Sequence, residues 1–197
     1  LENRNIYEAL RGGEDVFYYM PGQRYFVAFS NMIFGASSYG YLLIASTLPI
    51  AVYNFFKKYI NHYYAIVLFL LFIFFPIFEN LGFGYFNYIH QVNRNHAETL
   101  SILLIISSLV FTLYRGQNLN NTILIFSVGL ILSFASILRP NFILTSSFII
   151  FYLSYYYYVN KKYYNILFLL FGFASILFCL IHNLYFGDKF VIFINSY

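Results

Sequence analysis

Residues 122–138 read TILIFSVGLILSFASIL and residues 164–182 read YNILFLLFGFASILFCLIH, and neither run contains a charged residue. A helix needs about 20 mostly apolar residues to cross the roughly 30 Å hydrocarbon core of a bilayer, and fewer where flanking side chains reach the interface. Four further stretches, 32–54, 63–78, 99–114 and 142–159, have the same character. The sequence therefore predicts an all-α, polytopic transmembrane helical bundle with about six membrane-spanning helices.

The composition excludes a water-soluble globular domain. Hydrophobic residues make up 61% of the 197 positions and charged residues 9%, whereas a typical soluble domain is about 25% charged. The single cysteine, Cys179, lies inside an apolar run, which excludes a disulfide framework and a thiolate metal site. Pro49 and Pro76 interrupt two of the apolar runs and predict kinks there. We interpret residues 1–197 as a single transmembrane domain.

The charged residues divide unevenly between the two ends of the predicted spans. Alternation of the spans puts five basic residues and no acidic residue on one side, namely Lys57, Lys58, Arg115, Lys161 and Lys162. The other six basic residues and all seven acidic residues fall on the opposite side. Because basic residues concentrate in cytoplasmic loops, this second side is predicted to face outward. It includes the loop and interfacial helix of 1–31, the loop 79–98, the turn at Arg139 and the tail after His182.

The first outward stretch carries neighbouring acidic and basic groups. Residues 11–25 read RGGEDVFYYMPGQRY. A carboxylate of Glu14 or Asp15 can act as a general base toward an acceptor hydroxyl or hold a divalent cation, and Arg24 can bind a phosphate through two parallel hydrogen bonds. Two interpretations stay open, a catalytic loop of this kind and a solvated loop whose acidic groups merely stay in water.

The second outward stretch, residues 79–98, offers another cluster. If its later part is helical, His90 and Arg94 share one face, as do Arg94 and Glu98, since residues four apart are neighbours on a helix. This predicts a phosphate-binding cluster in which Glu98 orients Arg94, and the alternative is an interfacial helix with ordinary ion pairs. His90, His96 and Glu98 lack the spacing of a zinc-binding helix, where two histidines lie four apart, so no metal site is predicted.

Two ionisable residues lie at the outward ends of predicted spans. Arg139 follows the run 122–138 and precedes Pro140, and His182 ends the run 164–182. Ionisable groups near membrane depth are costly and tend to be retained for a site or a partner. We therefore include both as candidate ligands of a lipid phosphate. The alternatives are an arginine that reaches the headgroups from the interface and an ordinary histidine at a helix end.

Several strings together resemble the GT-C class of integral-membrane glycosyltransferases, which includes protein O-mannosyltransferases and the aminoarabinose transferases of lipid A. They are RGGEDVFYYMPGQRYF at 11–26, NMIFGASSYGYLLI at 31–44, RNHAETL at 94–100, LRPNF at 138–142 and HNLYFGDKFV at 182–191. The resemblance covers most of the chain, but it consists of short strings of low specificity. In that family the signature acidic residue follows the first span, so the resemblance implies a fragment that lacks this span and the C-terminal part. The pair Glu14-Asp15 and a carboxylate before Leu1 are then the two candidates for the catalytic group.

The resemblance implies transfer of a sugar from a polyprenyl-phosphate-linked donor, held in the membrane, to a glycan, lipid or protein acceptor on the extracytoplasmic face. Glu14 and Asp15 are the expected catalytic residues. The residues expected to bind the lipid phosphate are Arg24, His90, Arg94, Glu98, Arg139 and His182.

We expect the protein in a membrane, with the bacterial inner membrane as the first choice and the acidic loops facing the periplasm or exterior. No cofactor is certain, a divalent cation stays an alternative, and no nucleic-acid partner is expected. Three rival functions stay open: a flippase or transporter of lipid-linked sugars, an O-antigen polymerase or ligase, and a purely structural membrane subunit.

Overall fold

The computed structural model describes residues 21–35, 37, 39–74, 97–115, 122–187 and 190–192, and its regular structure in these ranges is helical. The α-helices are α1 Pro21–Phe34, α2 Tyr39–Ser46, α3 Leu48–Tyr59, α4 His62–Phe74, α5 Ala97–Arg115, α6 Thr122–Leu138, α7 Ile143–Val159, α8 Tyr163–Phe173 and α9 Phe178–Gly187. Short 3₁₀ turns, Pro140–Phe142 and Ala174–Leu177, lead into α7 and α9. The all-α prediction is therefore confirmed.

The chain divides into two compact units. Unit 1 contains residues 1–28 and 122–197, and unit 2 contains residues 29–121. The first turns of α1 belong to unit 1 together with α6 to α9, and the end of α1 belongs to unit 2 together with α2 to α5. Each unit has its own buried residues, among them Leu132 and Leu169 in unit 1 and Leu48 and Ala65 in unit 2.

Two helical segments are long and apolar enough to cross a membrane by length and composition. Within the described residues these are Pro140–Val159, with 20 residues, and Tyr163–Tyr185, with 23 residues. Shorter apolar helices cover His62–Phe74, Leu100–Thr112 and Thr122–Leu138. The predicted spans 122–138, 142–159 and 164–182 thus coincide with helical segments, while a bundle of six spans stays a prediction.

The predicted span 32–54 is divided among three helices in the structure, so its predicted start inside one continuous helix is wrong. α1 ends at Phe34, Gly35 has a positive φ of 72°, and helix resumes at Tyr39. Glycine adopts the left-handed region without the steric cost that a side chain would add, so it ends a helix readily. Downstream, α3 begins just before Pro49, whose missing N–H is harmless in a first helical turn. The expected kink at Pro49 is thus a helix boundary, and Pro76 lies outside the described residues.

A close crossing of α6 and α8 holds unit 1 together. A Cβ added at Gly129 would collide with a backbone carbonyl oxygen of α8, and a Cβ added at Gly172 would collide with one of α6. Near this crossing, the hydroxyl of Ser175 donates to the hydroxyl of Ser133 over 2.8 Å. Small residues let two helix backbones approach, and a hydrogen bond between helices adds to their packing. The pair of glycines therefore sets the distance between α6 and α8.

The turn between α7 and α8 is closed by backbone hydrogen bonds. The N–H of Lys161 donates to the carbonyl of Tyr158 over 3.0 Å, and the N–H of Lys162 donates to the carbonyl of Tyr157 over 2.9 Å. This pair of bonds is the Schellman arrangement, in which the residue after the helix takes a left-handed conformation, usually as glycine. Lys161 occupies that position with a φ of 56°. The turn is therefore formed at a conformational cost to Lys161.

Replacing Lys161 with glycine is expected to stabilise unit 1 by about 1 kcal/mol, because a left-handed residue with a side chain costs roughly 1–2 kcal/mol and glycine does not carry that cost. The measurement is the free energy of unfolding of the detergent-solubilised protein in a denaturant titration. Lys162→Gly is the matched control, since it removes the same charge from a residue whose φ is −98°. Equal effects from the two variants would mean that charge, and not backbone conformation, decides the result.

Candidate functional site

The start of α1 packs against the ends of two other helices of unit 1. An ideal Cβ at Gly22 would lie only 2.6 Å from the carbonyl oxygen of Ile137, near the C-terminus of α6. One turn later, the ring centroid of Tyr25 lies 5.4 Å from that of Phe178 and 5.6 Å from that of His182, both on α9. The first turns of α1 therefore bring α6 and α9 together at one end of the unit, which we call the Arg139 end.

A hydrogen bond links Tyr25 to His182. The Tyr25 hydroxyl and Nδ1 of His182 are 3.2 Å apart, and which of them donates depends on the tautomer of the imidazole. His182 is 4% exposed, and its ring also lies 6.2 Å from the ring of Phe178. This contact holds the orientation of the imidazole ring, while a hydroxyl partner accepts either tautomer at Nδ1. His182 is therefore a held, buried side chain and not a loose residue at a helix end.

Arg139 lies at the break between α6 and α7. Its N–H donates to the carbonyl of Ala135 over 3.1 Å, which completes the last turn of α6, and its carbonyl accepts from the N–H of Phe142 over 3.0 Å. Its backbone is extended, with φ −144° and ψ 105°, because the residue before a proline is pushed out of the helical region. The side chain is half-buried. Pro140 thus ends the helix and leaves an arginine at its terminus.

Three of the residues predicted from the sequence lie at the Arg139 end. Arg24 is half-buried on α1, between Gly22, which touches the backbone of Ile137, and Tyr25, which touches His182. Ile137 in turn precedes Arg139 by two residues. Arg24, Arg139 and His182 therefore lie on three helical segments of unit 1 that pack against one another.

Of the other predicted residues, the structure describes Glu98. Glu98 belongs to unit 2, where it lies half-buried in the first turn of α5. A carboxylate at that position is favoured by the positive end of the helix dipole. Glu14, Asp15, His90 and Arg94 lie outside the described residues, as does the greater part of the loop 79–98. The carboxylate assignment and the His90–Arg94–Glu98 cluster therefore stay predictions.

Sequence reasoning missed two residues at the Arg139 end. One is Tyr25, whose partner His182 is distant in the chain. The other is Asn183, which is fully buried and whose Nδ2 donates to the carbonyls of Val191 at 2.8 Å and Ile192 at 3.3 Å. An amide directly after a histidine in an apolar run was a usable signal for Asn183, because buried polar groups in such runs need partners. Tyr25 stands in a polar stretch where no local pattern distinguishes it.

The hydrogen bonds of Asn183 hold residues 190–192 against this end of unit 1. Ile192 packs against a cluster of Ile137, Ile176 and Cys179, so the segment after α9 turns back onto unit 1. Among the described residues no group of three or more His, Cys, Asp or Glu side chains is placed to hold a metal ion. The chemistry available at this end in the described chain is that of two guanidinium groups, an imidazole, a phenol and an amide.

Replacing Tyr25 with phenylalanine is expected to lower the free energy of unfolding by about 1 kcal/mol, because it deletes a part-buried hydrogen bond while keeping the ring. The measurement is a denaturant titration of the solubilised protein. Tyr53→Phe is the matched control, since Tyr53 makes the same kind of contact, 2.9 Å from Nδ1 of His62, at an exposed position. If Tyr53→Phe lowered the free energy of unfolding as much as Tyr25→Phe, burial would not explain the effect at Tyr25.

Compared with models of protein families, with curated proteins and with solved structures, the chain matches none. The case for a function therefore depends on the residues and on the geometry of the Arg139 end.

Proposed function

We propose that the protein is a membrane glycosyltransferase that moves a sugar from a polyprenyl-phosphate-linked donor to an acceptor on the extracytoplasmic face. The observation that supports this proposal is that Arg24, Arg139 and His182 lie on helical segments that pack against one another at one end of unit 1. A guanidinium group at a helix break, with a second guanidinium group and an imidazole on the helices that pack there, suits an anionic group that must lie at the membrane surface. A lipid-linked phosphate is such a group.

The chemistry of the transfer explains why basic residues are needed. The acceptor hydroxyl forms a bond to the anomeric carbon, the bond from that carbon to the phosphate oxygen breaks, and the hydroxyl proton passes to a carboxylate. Negative charge develops on the departing lipid phosphate. Guanidinium groups beside this position stabilise the transition state electrostatically. In this proposal Arg24 and Arg139 bind the phosphate, and Glu14 or Asp15 takes the proton.

The membrane setting of the proposal is supported by large apolar side chains on the surface of unit 1. Leu144 is 79% exposed on the turn that opens α7, and Phe148 and Phe151 further along α7 are both 72% exposed. Phe171 on α8 and Ile181 on α9 are exposed by 72% and 63%. Contiguous apolar surface of this kind is rare on proteins that face water and is the normal surface of a helix that faces lipid. We propose that these helices are part of the six-span bundle.

The orientation is proposed from the opposite end of unit 1. The turn between α7 and α8 carries Lys161 and Lys162 and is flanked by exposed tyrosines, including Tyr158 at 61% and Tyr164 at 78%. Lysines in short loops favour the cytoplasm, and tyrosine rings favour the interface. Because a helix reverses the side with each crossing, a cytoplasmic Lys161 turn puts the Arg139 end outside, as the transfer requires.

The test is sugar transfer by the full-length protein in proteoliposomes that contain radiolabelled polyprenyl-phosphate sugars. Label is followed into lipid, glycan and protein acceptors, with and without a chelator. We expect the unaltered protein to transfer the label and substitution of Arg139 to reduce that transfer. Chelator sensitivity would add a divalent cation to the mechanism.

Two outcomes would overturn the proposal. Movement of the labelled lipid across the bilayer without transfer would assign the protein to the flippases, although the runs 122–138, 142–159 and 164–182 contain no Asp, Glu, Lys or Arg that would mark a polar path. Neither transfer nor movement with any donor would favour a structural subunit.

A further inference from the structure

Unit 2 contains a second polar cluster, formed by residues that are not part of the Arg139 end. It lies at the turn between α3 and α4 and is centred on Tyr53. The Tyr53 hydroxyl is 2.9 Å from Nδ1 of His62, and Nζ of Lys57 lies over the Tyr53 ring, 5.8 Å from its centroid. The ring of Phe69 supports Tyr53 from α4, with centroids 5.9 Å apart. We call Tyr53, Lys57 and His62 the Tyr53 cluster.

Tyr53 brings two donors to the same place. With the tyrosine hydroxyl as donor to Nδ1, the proton of a neutral imidazole lies on Nε2, where it is a donor for an anion, and the protonated ring donates from both nitrogens. The cation–π contact holds the Lys57 ammonium near the same ring without neutralising its charge. Lys57 and His62 are both exposed, so their donors face outward from the protein.

The charged residues of the described segment around this turn are basic. Lys58 follows Lys57 directly, and the runs 29–35, 37 and 39–74 that unit 2 contributes here contain no Asp or Glu. The acidic residue of unit 2 within the described residues, Glu98, is in the first turn of α5. Within the described residues 39–74, an anion at the turn therefore meets basic groups and no carboxylate of this segment. Attraction of this kind adds with each basic group near the site.

The surroundings of the cluster suit a lipid more than a free anion. Tyr59, Tyr63 and Tyr64 flank it with exposed fractions of 62%, 74% and 67%. Tyrosine rings of this kind sit at headgroup level in membrane proteins, with the apolar ring toward the acyl chains. Beyond them α4 continues as an apolar helix with exposed Val67 and Leu70. A phosphate bound at the Tyr53 cluster would thus lie at the boundary between water and hydrocarbon.

We infer that the Tyr53 cluster binds the phosphate of an anionic phospholipid headgroup, with Lys57 and His62 as the donors and Tyr53 as the residue that positions both. This inference goes beyond sugar transfer and does not depend on it. The site is in unit 2, on residues to which the transfer proposal gives no role. A bound lipid here would anchor the α3–α4 turn in the headgroup layer.

The test is a titration of the detergent-solubilised full-length protein with dioctanoyl phosphatidylglycerol, followed by native mass spectrometry. Lys57→Gln is expected to weaken the apparent Kd about fivefold, the size expected for loss of one basic group near a phosphate. His62→Gln should weaken binding by a similar factor. Tyr53→Phe keeps the ring under Lys57 but releases the imidazole, so a smaller loss, about twofold to threefold, is expected from one neutral hydrogen bond.

Lys161→Gln is the matched control, because Lys161 is also an exposed lysine in a short interhelical turn with tyrosine neighbours. Within the described residues it is not placed over a tyrosine that contacts a histidine. It should change the Kd less than twofold. Equal weakening by Lys161→Gln and Lys57→Gln would overturn the inference and leave only general attraction to basic turns. Equal affinity for dioctanoyl phosphatidylcholine would also overturn it. Displacement of the lipid by equimolar inorganic phosphate would show a free-anion site instead.

Discussion

Replacing Gly172 with leucine is expected to separate α6 from α8 and to destabilise unit 1 more than any other single substitution discussed above. A Cβ at Gly172 would already collide with the carbonyl oxygen of Phe126 and lie 3.0 Å from the nitrogen of Leu130, and both atoms are backbone. A backbone cannot move aside as a flexible side chain can, so the helices must shift. Overpacking of a tight contact costs roughly 1–3 kcal/mol, and loss of the Ser133–Ser175 hydrogen bond adds about 1 kcal/mol.

The measurement is the free energy of unfolding in a denaturant titration, with helix content followed by circular dichroism. Gly129→Leu should behave alike, since Gly129 faces a carbonyl of α8 in the same way. Because these two substitutions disturb one crossing, their effects should not add when combined. Phe171→Leu is the matched control, at a neighbouring position on α8 that is 72% exposed. A Gly172→Leu protein as stable as this control would refute the close crossing.

Replacing Arg139 with alanine is expected to reduce sugar transfer by about 100-fold to 1,000-fold, the usual effect of deleting one preorganised donor to a developing negative charge. The substitution should leave membrane insertion intact, because the break between α6 and α7 is made by Pro140 and by backbone hydrogen bonds that alanine keeps. The measurement is the rate of transfer in proteoliposomes, alongside the amount of protein recovered in the membrane.

Two variants distinguish phosphate binding from a general effect of charge. Arg139→Lys keeps the charge but loses the planar fork of donors, so it should recover only part of the activity. Lys162→Ala removes a basic residue at the opposite end of unit 1 and should transfer sugar at the normal rate. Normal transfer by Arg139→Ala would contradict the phosphate role even if the protein proves to be a glycosyltransferase by other means.

The helices of unit 1 could be read from the sequence because their boundaries are made by local chemistry. The run 122–138 coincides with α6, since it is uniformly apolar and is followed at once by Arg139 and Pro140. The turn after α7 could be placed at Lys161 for the same reason. The run 32–54 is not a single helix, because the positive φ of Gly35 ends α1, and hydropathy gives little weight to one glycine.

The candidate site was predictable only as separate residues. Arg139 and His182 could be selected because an ionisable group beside an apolar run is unusual. Arg24 was selected from a polar stretch in which nothing marked it above its neighbours. The hydrogen bond of Tyr25 was beyond such reasoning, because its partner is 157 residues away and the contact requires α1 to pack on α9.

By itself the sequence determined an all-helical chain, the course of its longest apolar segments and the unequal charge of their ends, because hydrophobicity, proline and lysine act on the residues nearest to them. The tertiary structure alone decided that Gly129 and Gly172 meet across α6 and α8, that Tyr25 holds His182, and that Tyr53 gathers Lys57 and His62. These contacts depend on how close two helices approach and which faces they turn toward each other. Side-chain volume and backbone packing set that geometry, and hydropathy carries almost no information about either.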